Sequence, residues 1–108
     1  MAKSRNKVES ILQILKGYIK LLEENNFPID KAILFGSYAN GKYDEWSDID
    51  VLLVSKAFSG ERFLDKEKIR KLTISYNSNI SPIPFNSKDF DVTNLFIKDV
   101  VDNGVVIS

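Results

Sequence analysis

The feature that most constrains this chain is a pair of apolar segments joined by a polar stretch, the second opening on two acids. Ala32-Ile33-Leu34-Phe35 is a short apolar run that stops at Gly36, as suits a strand buried on both faces. Ser37 to Ser47 is polar, contains Gly41, and reads as a loop. Asp48 to Val54 is again β-branched and apolar. A period of two sets Asp48, Asp50 and Leu52 on one face and Ile49, Val51 and Leu53 on the other, so both carboxylates project the same way.

Carboxylates two residues apart on a strand lie roughly 7 Å apart along the backbone and can converge on hard cations. That pattern suits metal-assisted phosphoryl transfer. Gly36, directly after a buried strand, permits a tight turn and close approach of backbone N–H groups to phosphate oxygens, and Ser37 adds a hydroxyl donor. Taken singly, a Gly-Ser pair is usually a turn and an Asp-x-Asp usually a solvated strand start. Their combination in one strand-loop-strand unit is what carries weight.

Histidine and cysteine are both absent, which removes imidazole bases, thiol nucleophiles and their metal sites, so any metal must sit on oxygen. Lys plus Arg number 15 and so do Asp plus Glu; no overall positive field draws the chain to nucleic acid or anionic lipid. The length of 108 residues and 44% hydrophobic content predict one domain over residues 1–108. The start is basic, but Glu9, Gln13 and Lys16 interrupt any signal-like apolar stretch, and no segment approaches the roughly 18 apolar residues that span a bilayer. A cytoplasmic location is the expectation.

Val8, Ile11, Leu12, Leu15, Tyr18, Ile19 and Leu22 recur at helical steps, predicting a first helix to about Glu24, with Ser4 or Asn6 as cap and Gly17 weakening its middle. Ile69, Leu72, Thr73 and Tyr76 predict a second helix over 64–76, its charged outer face read as solvated. Ile80 to Phe85 has strand character, but Pro82 and Pro84 confine it to a sheet edge or an irregular strand. Thr93 is placed to cap a last helix that Gly104 stops before Val105-Val106-Ile107.

Leu34-Phe35-Gly36-Ser37-Tyr38-Ala39, then Gly41, then Ser47-Asp48-Ile49-Asp50-Val51 resembles the signature of the minimal nucleotidyltransferases of the DNA polymerase β-like superfamily. The resemblance extends over nearly the whole chain and implies an α+β fold with a small mixed sheet flanked by helices. It further implies a magnesium-dependent enzyme in which Asp48 and Asp50 are the catalytic metal ligands. Gly36 and Ser37 bind the nucleoside triphosphate, with ATP as donor and an acceptor hydroxyl as target. Small stand-alone members act as antitoxins paired with a HEPN-domain ribonuclease toxin, some by AMPylating a toxin tyrosine, which makes a HEPN-type protein the implied partner.

Two departures bear on catalysis. The family often has arginine where Asn40 stands, and active members carry a third acid on the next strand, where this chain has Asn79 or Ser81. Neither side chain replaces a metal-holding carboxylate or general base. Asp89 and Asp91 are nearby in sequence, in what reads as a turn leading into a helix, where acids suit the helix dipole. A catalytically degenerate domain acting as a protein-binding module is therefore the alternative, and the donor half of a two-component enzyme is a third reading. Trp46, Tyr38 and Tyr43 are candidates for stacking on a base or for packing, and Lys42 for reaching a phosphate or for solvation.

Overall fold

The computed structural model describes residues 2–107, with side chains described from Lys7 onward. Helix α1 runs over Ala2–Glu24, so it has already begun at Ser4 and Asn6, whose side chains lie outside the described residues. Strand β1 (Lys31–Phe35) is followed directly by a one-turn helix α2 (Ser37–Asn40), where the sequence predicts loop. Strand β2 (Ile49–Ser55), helix α3 (Arg62–Tyr76), strand β3 (Ile80–Asn86), a 3-10 turn (Ser87–Asp89), helix α4 (Leu95–Asn103) and the short strand β4 (Val105–Val106) complete the order.

The sheet order is β3-β2-β1-β4, with β2 antiparallel to β1 and parallel to β3, a mixed sheet as the family resemblance implies. Strand period divides the core between its faces. Ala32, Leu34, Ile49, Val51 and Leu53 pack with Ile11, Leu15, Tyr18 and Leu22 of α1 and Ile69 of α3. Ile33, Leu52, Val54 and Phe85 pack on the opposite face with Ile97 and Val100 of α4. Each fully buried Leu or Ile contributes about 1.5–3 kcal/mol.

β3 is one edge of the sheet, where its prolines are tolerated. The Ile49 N–H donates to the Asn79 carbonyl at 2.9 Å, which fixes the phase of the parallel ladder: odd-numbered residues of β3 bond to β2. Pro82 and Pro84 therefore occupy the positions whose N–H would face away from the sheet, where the missing donor is harmless.

Other expectations are corrected. Gly17 is a crossing point: a β-carbon there would collide with the hydroxyl of Tyr76, which donates to the Ile14 carbonyl at 2.7 Å and ties α3 to α1. The cap of α4 is Asn94, one residue after Thr93; its Oδ1 accepts from Phe96 and Ile97, while Thr93 N–H donates to Asp91. Asp65, read as part of a solvated face, is fully buried. Its carboxylate accepts from the Ser59 N–H at 2.7 Å, the Ser59 hydroxyl at 2.9 Å and the Gly60 N–H at 2.9 Å, bracing the loop into α3. Burial raises this carboxyl, but those hydrogen bonds and Lys68 outweigh it and hold the group below the usual carboxylate range.

Candidate active site

The turn between β1 and α2 is built on Gly36, at φ 75° and ψ −152°, a region essentially closed to residues with a β-carbon. Glycine is required there twice over, because a β-carbon would run into Oδ2 of Asp50. The antiparallel register sets Phe35 opposite Asp50, so the chain leaves β1 against that carboxylate. Ser37 and Tyr38 open α2, and as its first residues their N–H groups have no intrahelical acceptor.

Asp48 is exposed just ahead of β2, and Asp50 is half-buried within it. Burial raises the Asp50 carboxyl above its ordinary range, and the charge of Asp48 raises it further. The two acids thus sense each other across one strand period. On the other side of Asp50, parallel pairing sets Ser81 beside it, while Asn79 lies before β3. Among the described residues no third Asp, Glu, His or Cys joins them in a group able to hold a metal ion. Asp89 and Asp91 therefore do not supply the missing acid; Asp89 stands by Gly60, past the far end of β3.

The loop between α2 and β2 is ordered by its own bonds. Asp44 N–H donates to the Ser47 hydroxyl at 2.9 Å and Trp46 N–H to Asp44 Oδ1 at 2.8 Å. Tyr38 is buried and stacks on Tyr43 with ring centroids 4.8 Å apart, so Tyr38 serves packing. Trp46 is 84% exposed and covers no core edge. Lys42 is exposed, and Asn40 uses its side chain to accept from the Lys42 N–H.

Two cavities flank the carboxylates. One, of about 440 Å³, opens at Asp48 between α3 and the start of β3 and is walled by Lys66, Arg70, Asn79 and Ser81 among others. The other, of about 450 Å³, lies on the Asp50 face between Phe35, Arg62, Asn94 and Phe96. Neither was legible in the sequence, since α3 and α4 reach the site only through tertiary packing.

Comparison with known proteins identifies the family and the fold. The family model of the nucleotidyltransferase domain matches residues 8–107. A Methanocaldococcus jannaschii protein provisionally named a protein adenylyltransferase is 35% identical over 104 residues, spanning 93% of this chain and 97% of its own. A provisionally named nucleotidyltransferase from Sulfolobus solfataricus shares the fold with a TM-score of 0.63 at 21% identity, over 95% of this chain and 84% of that one. A toxin–antitoxin crystal structure with AMP-PNP shares it at 0.54 and 22% identity, over 83% and 68%. Among the described residues no helix is long and apolar enough to cross a membrane.

Proposed function

The chain belongs to the nucleotidyltransferase domain family, and on that footing we propose that it transfers an adenylyl group from ATP to a hydroxyl on a partner protein, a HEPN-type toxin. The observation that carries this reading is the packing of Gly36 against the Asp50 carboxylate, which sets the turn after β1 beside two carboxylates one strand period apart. The provisional adenylyltransferase name of the M. jannaschii relative and the AMP-PNP of the toxin–antitoxin structure support the choice of nucleotide and of partner class.

The donor set fits magnesium. Asp48 and Asp50 are hard oxygen ligands, the Asp50 carboxyl is raised by burial and its neighbour, and this ion is commonly held by one or two carboxylates with phosphates and water completing its shell. Asp48 and Asp50 would hold the ion with the triphosphate, and it would supply electrostatic stabilisation of the charge that builds during transfer. Gly36 lets the backbone approach the phosphates, and the Ser37 hydroxyl and the first N–H groups of α2 orient them. The hydrogen-bonded loop over residues 44–47 leaves Trp46 exposed to solvent.

A second reading, a nucleotide-binding module that acts by docking on its partner, is favoured by Ser81 standing where a carboxylate would complete the set. Titration with ATP, with and without magnesium, tests both alongside transfer of labelled AMP to the partner, using wild type and Asp48→Asn/Asp50→Asn. The transferase reading expects magnesium-dependent binding and labelling, both lost in the double variant. Failure of the folded wild type to bind any triphosphate overturns it. Binding with no labelling leaves the docking module.

A further inference from the structure

Asp48 and Asp50 have the Gly36-Ser37 turn on their β1 side and Ser81, with the cavity that opens at Asp48, on their β3 side. In adenylyl transfer the acceptor oxygen bonds to the α-phosphorus as the bond to the bridging oxygen breaks. Pyrophosphate leaves with the bonding pair, and the hydroxyl proton is released to solvent. The attacking and leaving oxygens lie roughly in line. With the leaving phosphates at the turn, the acceptor comes from the β3 side, where this cavity opens at Asp48, whereas the cavity on the Asp50 face also borders β1 at Phe35.

The wall that α3 turns to the cavity has a definite chemistry. Phe63, Lys66, Arg70 and Ile74 follow at three- and four-residue steps, with Thr73 at the cavity's inner margin and Asp65 and Ile69 turned inward. Phe63 is 69% and Ile74 54% exposed, large apolar surfaces with no partner in the sheet. Lys66 and Arg70 form no ion pair among the described residues. They stand one helical turn apart, so their charges repel, and Glu67 on the same wall offsets only one of them.

We infer that this cavity is the acceptor site and that it takes a protein segment carrying carboxylates beside the hydroxyl to be modified, with Lys66 and Arg70 pairing the acids and Phe63 and Ile74 packing on the intervening side chains. Arg70 suits bidentate pairing with a carboxylate. An acceptor site presupposes the transferase reading given above, but segment binding can be measured without turnover.

The probes are fluorescein-labelled random copolymers of glutamate and tyrosine and of lysine and tyrosine, titrated with the intact chain at low salt. Wild type is expected to bind the acidic copolymer about tenfold more tightly than the basic one. Lys66→Gln/Arg70→Gln is expected to lose roughly tenfold in that affinity, while Lys16→Gln/Lys20→Gln on α1 loses less than about threefold. No preference in wild type, no loss in the α3 variant, or an equal loss in the α1 variant overturns the site. If wild type binds no triphosphate yet shows the α3-dependent preference, the transferase reading fails and the acidic-segment surface stands.

Discussion

Gly36 and Asp50 are in mutual contact: the α-carbon of the one lies so close to the carboxylate of the other that no side chain fits between them. Gly36→Ala is therefore expected to strain the backbone and displace the carboxylate together. The backbone cost alone is about 1–3 kcal/mol, which urea denaturation would measure, and magnesium-ATP affinity should fall by at least about tenfold.

Asp50 is a group whose ionisation the fold opposes. Because its native pKa is raised, the metal-free native state holds its proton more tightly than the unfolded chain does. Stability should then decline as pH climbs from the ordinary carboxylate range through the raised value. Asp50→Asn removes that dependence and is expected to raise the thermal midpoint at neutral pH by roughly 1–3 °C without divalent ions, while abolishing magnesium-dependent nucleotide binding. Paired calorimetric scans over pH 4 to 8, with about those limits set by the ordinary values, would show whether the two properties move in opposite directions.

Asp65 has the reverse sign. Its carboxyl is held below the usual range, so its contribution is present above the unfolded value and is lost as pH falls through the depressed native one. Asp65→Ala leaves the Ser59 and Gly60 donors without their acceptor and is expected to cost about 3 kcal/mol. Acid titration of stability should flatten in the variant; nucleotide affinity, read below its unfolding temperature, should not change.

Tyr18 donates to Thr73 in a buried pair at 2.6 Å, since the Thr73 hydroxyl already gives its proton to the Ile69 carbonyl. Burial pushes the phenol up to about 12, the hydrogen bond to Thr73 opposing it in part. The stability tied to this raised pKa is complete below the ordinary value of about 10 and is lost as pH rises through the native one. Tyr18→Phe is expected to cost about 1 kcal/mol. Ultraviolet titration of phenolate should show a late-ionising component in wild type that the variant lacks.

The sequence made the main elements legible because their apolar periods were long enough to distinguish helix from strand. Ile49, Val51 and Leu53 do face α1 and α3 while Leu52 and Val54 face α4. The one-turn α2 escaped because four residues carry no period. Thr93 and Asn94 are equally good caps by type, and only the geometry selects Asn94. Asp65 looked solvated because the donors that bury it come from a loop whose course the sequence does not reveal. For the candidate site, the residues of one strand-loop-strand unit could be named in advance. Ser81 could only be approximated before register fixed it, and Lys66 and Arg70 not at all, since α3 meets Asp48 only across the edge of the sheet.

The alternation along β2 has an effect on how errors are tolerated. A slip of one residue would swing Asp50 into the packing beneath α1 and α3 and turn Ile49, Val51 and Leu53 out of it. Burying an unpaired carboxylate costs several kcal/mol, on the scale of a whole domain's margin of stability. The strand thus proofreads itself: a copy that has misaimed its acids is also a copy too unstable to persist, so the folded population carries few misassembled sites.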